Sequence, residues 1–193
     1  LGVMAINGVL FDNTDNEQEF KAGQVVLDCD SPTAQTDAGQ FVIAAEPIEN
    51  GQIGRVFTYG VCVCTVEIDA TWHKYADVKT SSVELKTYPG GGAEILWKES
   101  GTGAGKVAVI RFCSHPFVAC EFDLDAALAV TDTSKAATIS KCTIPGYATQ
   151  SITVTNHDAS GSDNIFEGGI GDYGTAYYDV STDTWRIIQM ECP

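Results

Sequence analysis

The sequence predicts an all-β protein built as two small β-barrel or β-sandwich modules, residues 1–112 and 138–193, with a short mixed connection over 113–137. Three observations predict it. Short runs rich in Val, Ile, Phe, Tyr and Thr recur roughly every 8–15 residues, a spacing that suits sandwiches and barrels. Gly, Pro, Asn and Asp punctuate the gaps between them. Several runs alternate apolar and polar residues, as Gln150–Asn156 (QSITVTN) does, which is the period of a half-buried strand.

The centre of the N-terminal half is Gly39–Glu67. Phe41–Ala45 reads as a strand, Glu46–Gly51 as a tight return with Pro47 and Asn50-Gly51 as its turn residues, and Ile53–Ile68 as one long strand. Gly51, Gly54 and Gly60 sit within or beside it, and glycines there mark bulges or close backbone approach. Before this pair, Leu1–Phe11 (LGVMAINGVLF) reads as two short strands broken by an Asn7-Gly8 hairpin signal. Residues 12–19 (DNTDNEQE) read as a solvated loop, without the central Gly and terminal Glu of a calcium-binding loop. Gly23–Cys29 is a strand and Asp30–Gly39 a turn-rich connection. After the pair, Val83–Leu85, Ala93–Lys98 and Val107–Phe112 are strands, and Tyr88–Gly92 (YPGGG) is a turn.

Gly101–Lys106 (GTGAGK) superficially resembles a phosphate loop. It is one residue too short, Val107 stands where Ser or Thr is needed, and a β-branched run follows instead of a helix. It is read as a hairpin tip. Phe117–Leu124 is a further apolar run inside the connection. Asp125–Ala137 is mixed, with room for one helical turn. The last third holds strands at Thr138–Ile144, Gln150–Asn156, Gly174–Val180 and Trp185–Met190. No internal repeat and no low-complexity tract is visible in the residues.

Composition excludes some functions. The chain has 193 residues, with 11 Lys+Arg against 26 Asp+Glu, for a net charge of −15. Binding to nucleic acid needs Lys and Arg to replace phosphate counterions, so no direct nucleic-acid partner is expected. No apolar run approaches the roughly 18–20 residues of a membrane helix, and no membrane partner is expected. Leu1 is not a translation start, so the chain is expected to be a processed product or a segment of a longer protein, with no signal peptide visible.

The seven cysteines are an odd count, which leaves at least one thiol without a partner in the chain. Cys62 and Cys64 share one strand face and are expected to be buried thiols; any disulfide pairing stays open. Cys62 and Cys64 with His73, or with Cys113 and His115, form the least unfavourable zinc set, without the CxxC pairs that mark such sites. His73, His115 and His157 all fall in predicted loops with no neighbour at metal spacing. Cys113-Ser114-His115 is extended, so thiol and imidazole point apart. No catalytic residue, cofactor or metal is therefore expected. The candidate contact residues are Trp72, His73 and Tyr75, an aromatic edge at one end of a module.

An ordered series of residues goes further. It comprises Leu1-Gly2-Val3, Phe20, Gly39–Ile43, Glu46-Pro47-Ile48, Gly51–Val56, Gly60-Val61, His73–Asp77, Ala93–Lys98, Gly101-Thr102-Gly103, Val107–Arg111, and the ending Gly174–Tyr178 through Trp185–Cys192. The series covers nearly the whole chain and resembles a family of proteins encoded by tailed phages and prophage-like regions of bacterial genomes. The chain departs from that family's pattern at Asp37, where a His precedes the Ala-Gly, and at Lys106-Val107, where a Trp is common. The resemblance implies a virion structural protein, a capsid decoration or tail-associated component with no catalytic residues. Its partners would be other virion proteins and copies of itself. An acidic surface suits the outer face of a particle better than one touching packaged DNA. The alternative is a carbohydrate- or receptor-binding β module that takes a host glycan on stacking faces from Trp72, Tyr75, Tyr88, Trp97, Tyr177, Tyr178 and Trp185.

Overall fold

The computed structural model describes residues 2–10, 14, 17–18, 26–34, 36–114, 116–156 and 166–191. Its regular elements are strands, as the composition of the apolar runs requires. The chain divides into two compact units, Leu1–His115 and Pro116–Pro193.

The first unit carries an open sheet and a closed barrel. The sheet is formed by β1 (Val3–Val9), β2 (Leu27–Asp30), β3 (Phe41–Ala44) and β4 (Val56–Phe57), in the order β2-β1-β3-β4. The barrel is formed by β5 (Val61–Ile68), β6 (Tyr75–Val78), β7 (Leu85–Tyr88), β8 (Ala93–Lys98) and β9 (Gly103–Phe112), in the ring order β5-β7-β6-β8-β9. Alternation places Cys62, Cys64, Val66 and Ile68 of β5 inside. They meet Ala76, Val78, Leu85, Ala93, Ala108 and Ile110, and the sheet adds Val3, Phe41 and Ile43 to the same core.

The buried Asp77 carboxylate ties this unit together. Its Oδ1 accepts the amides of Gly39 (2.9 Å) and Val78 (2.8 Å), and its Oδ2 accepts that of Gly92 (2.7 Å). One side chain thus joins the loop before β3 to the turn before β8. A carboxylate fully removed from water must be satisfied in this way. Gly92 is required there, because a Cβ would stand 2.8 Å from the Gly39 Cα.

The second unit is a barrel of β10 (Ala119–Leu124), β11 (Ser134–Cys142), β12 (Ser151–Thr155), β13 (Tyr173–Asp179) and β14 (Thr184–Glu191), in the ring order β10-β11-β12-β14-β13. Reading the first barrel from β8 round through β9, β5, β7 and β6 gives the same ring. The single parallel contact falls in the same place, Val66↔Leu85 in one and Val154↔Trp185 in the other. The other registers match as well. Cys64↔Ala108 corresponds to Ile152↔Ala137, Ala76↔Thr87 to Ala176↔Ile187, and Glu94↔Arg111 to Glu121↔Lys141. The two barrels are circular permutations of one Greek-key topology, a repeat that the linear sequence conceals.

Several expectations need correction. Asn7-Gly8 makes no hairpin; β1 runs through it with a register shift between Ile6 and Gly8, so the glycine serves a bulge. Ile53–Ile68 is not one strand. Val56–Phe57 pairs with β3 in the sheet, Gly60 turns with φ +83°, and β5 begins in the barrel. The return before it is closed by Arg55, whose amide and guanidinium both reach Glu46. The stretch 113–137 holds β10 and the start of β11, and the boundary falls between His115 and Pro116. Of the strand expected at Gly23–Cys29, residues 23–25 lie outside the described residues, as do most of the loop 12–19, His115 and His157.

Candidate functional site

Trp72 and His73 lie in the turn between β5 and β6, and Tyr75 opens β6. The His73 ring is buried, with Nδ1 2.9 Å from the Thr87 carbonyl and the Trp72 ring edge-on at 4.4 Å. This geometry locks the imidazole into the barrel wall. Trp72 and Tyr75 are half-buried. Burial raises the Tyr75 hydroxyl above its ordinary range, with the Glu94 charge adding to it. Trp72 and His73 are in contact, with His73 turned inward, while Tyr75 follows at the start of β6, and Trp72 and Tyr75 are partly covered.

A second arrangement is more open, on the outer wall of the first barrel over β8, β9 and β5. In this antiparallel stretch, directly opposite residues share a face. Trp97 stands beside Val109, and Val109 beside Val63; the flanking rows are Val107 beside Thr65 and Arg111 beside Val61. Trp97 is 55% exposed, Val61 54%, Val63 48%, Leu96 47% and Val107 38%. These apolar side chains cluster on one face of three adjacent strands, and exposed apolar clusters of this kind are candidate interaction surfaces. Trp97 faces outward because of a β-bulge. The register shifts between Ile95 and Trp97, leaving Leu96 as the extra residue and reversing the phase of the strand beyond it.

The second barrel supplies a control inside the same molecule. At the equivalent positions it carries Asp123 for Trp97, Thr138 for Val109, Ser151 for Val63, Ala136 for Val107 and Thr153 for Thr65. There Thr138 donates to Asp125 at 3.0 Å, a solvated polar wall. The charged corner is kept in both, as Arg111 Nε on Glu94 at 3.1 Å and Lys141 on Glu121 at 3.0 Å. One topology thus presents an apolar outer wall on one barrel and a polar one on the other.

The remaining aromatics divide clearly. Tyr88, Tyr178 and Trp185 are buried core residues. Tyr177 is half-buried and stacks on the exposed Phe117 at 6.2 Å and 15°. Phe117 had no signal in the sequence beyond its apolar run, and Val61, Val63 and Val107 looked like any strand residues.

Among the described residues no group of three or more His, Cys, Asp or Glu is placed to hold a metal. Cys62 and Cys64 face the core, and burial pushes the Cys64 thiol up to about 12, far from a reactive thiolate. A shallow depression of the second barrel is lined by Leu128, Ala129, Glu167, Gly168, Gly169 and Asp172. Its Asp172 carboxylate is engaged by the Gly169 amide at 2.7 Å. No helix among the described residues is long and apolar enough to cross a membrane. Comparison with protein-family models, curated proteins and solved structures finds no match.

Proposed function

We propose that this protein is a non-catalytic attachment module of a phage virion, a capsid decoration or tail-associated component. It docks on a neighbouring protein subunit through the outer wall of its first barrel. The single observation that carries the reading is the contrast between the two barrels: Trp97, Val109, Val63 and Val107 stand where the permuted copy carries Asp123, Thr138, Ser151 and Ala136. Solvent exposure suits the second set, whereas the first gains free energy when another surface covers it. The resemblance of the ordered motif series to phage-encoded proteins supplies the setting. The net charge of −15 suits the outside of a particle.

A protein partner fits this wall better than a sugar. Glycan sites combine an aromatic platform with convergent hydrogen-bonding groups, whereas Trp97 here is flanked by Val109 and Leu96, and Arg111 of the same wall is engaged by Glu94. The test is incorporation. Particles assembled with the native chain should carry it after purification, and the Trp97→Asp chain should be lost from them while still folded. Native chain missing from purified particles, or a glycan array bound through Trp97, overturns the reading.

A further inference from the structure

We propose that Cys120 and Cys142 are a redox-modification site that takes a low-molecular-weight disulfide and closes into a reversible cross-strand disulfide between β10 and β11. The two residues are direct register partners. The adjoining pair is hydrogen-bonded, because the Thr143 amide donates to the Ala119 carbonyl at 2.9 Å. In an antiparallel ladder bonded and non-bonded pairs alternate, so Cys120 and Cys142 form a non-hydrogen-bonded pair. Such pairs bring Cα atoms to about 4.5 Å with both side chains on one face, within the span that a disulfide bridges. Both thiols are free in this structure.

Other described cysteines lack this relation. Cys62 and Cys64 follow one another along a single strand, and Cys113 directs its thiol to the Gly91 carbonyl. The equivalent positions of the first barrel hold Ala93 and Phe112, also register partners, which fill the space with carbon. The thiol pair is therefore a feature of the second barrel alone.

The exchange balances as follows. Cys142, half-buried, attacks one sulfur of the small disulfide as thiolate and expels one small thiolate, giving a mixed disulfide. The expelled thiolate takes a proton, and the Cys120 thiol, 2% exposed, gives its proton up to base. Its sulfur then attacks Cys142 Sγ and expels the second small thiol. Two protein thiols are oxidised and one small disulfide is reduced to two thiols. Cys142 starts the exchange because it is the more exposed of the two, whereas Cys120 is buried, and that burial, reinforced by the neighbouring Cys142, pushes its thiol up to about 12. The bond fastens the first two strands of the ring and constrains the unfolded second unit.

The test uses the whole chain equilibrated with oxidised glutathione or with dithiothreitol, followed by alkylation in denaturant and peptide mapping. The expected result is a mass loss of two hydrogens and a cross-linked peptide pair containing Cys120 and Cys142. The thermal midpoint of the second unit should rise by about 10 °C or more, and dithiothreitol should reverse both changes. Cys142→Ser, at the less buried position, should show neither change. Both thiols alkylated after oxidation, glutathione retained on Cys142, or a cross-link to another cysteine each overturn the proposal. The mapping of the native chain decides it even if a variant fails to fold.

Discussion

Asp77 gives the sharpest test of how the first unit is held. Replacing it with Ala strands the amides of Gly39, Val78 and Gly92, each now buried against a methyl group. A buried donor left without an acceptor costs about 1–3 kcal/mol. Some relaxation is available, so the sum is about 4–6 kcal/mol. That is comparable to the lower end of the roughly 5–15 kcal/mol that a domain possesses. Asp77→Asn keeps the shape and one acceptor oxygen, but sets an amide NH2 against one of the three donors, for a loss of about 2–3 kcal/mol. The assay is urea unfolding in a Trp185→Phe background, in which fluorescence reports only Trp72 and Trp97 of the first unit. The midpoint should fall by about 1–2 M for Asn and by more for Ala. An Ala variant within about 1 kcal/mol of the parent would show that the carboxylate does not organise these loops.

Other outcomes follow from the same geometry. Trp97→Asp installs the residue class that Asp123 already provides in the second barrel, so stability should stay within about 0.5 kcal/mol while partner affinity falls by at least about 30-fold; calorimetry and particle-incorporation assays read the two effects. Gly174→Ala would drive a Cβ to 2.5 Å from the Gln189 carbonyl and 2.8 Å from Phe122, and urea unfolding should show a loss of about 2–3 kcal/mol in the second unit. Cys64 and Cys120 have folded-state thiols raised from 9.0 to about 12. The unfolded chain releases those protons first, so their contribution is complete below pH 9 and is lost as pH rises from 9 towards 12, at about 1 kcal/mol per thiol per pH unit. Midpoints measured from pH 8 to 11 in Cys64→Ala and the parent should converge as pH rises.

The fold class was legible because burial imposes a period of two on strands. Ala93–Lys98 could be read to the residue, and a hairpin follows it as expected, although Gly103–Lys106, read as part of its tip, already belong to β9. What hid the rest was local phase and long-range order. Alternation alone would put Trp97 on the same face as Ile95, inside the barrel; only the extra residue Leu96 reverses that, and a bulge leaves no mark in composition. The split of Ile53–Ile68 hinged on one positive-φ glycine, Gly60, among several glycines that looked alike. The relation between the barrels was invisible because permutation breaks collinearity, and equivalent residues such as Thr87 and Ile187 keep burial without identity. Trp72, His73 and Tyr75 were marked by aromatic character, but His73 spends its ring on the Thr87 carbonyl.

The most direct measurement of the central claim is a cryo-electron microscopy reconstruction of intact particles, resolved well enough to place side chains. The account predicts density for this chain with Trp97, Val63 and Val107 sealed against a neighbouring subunit, and with Asp123, Thr138 and Ser151 of the second barrel facing water. A chain bound with the wall over β8, β9 and β5 open to solvent would contradict it.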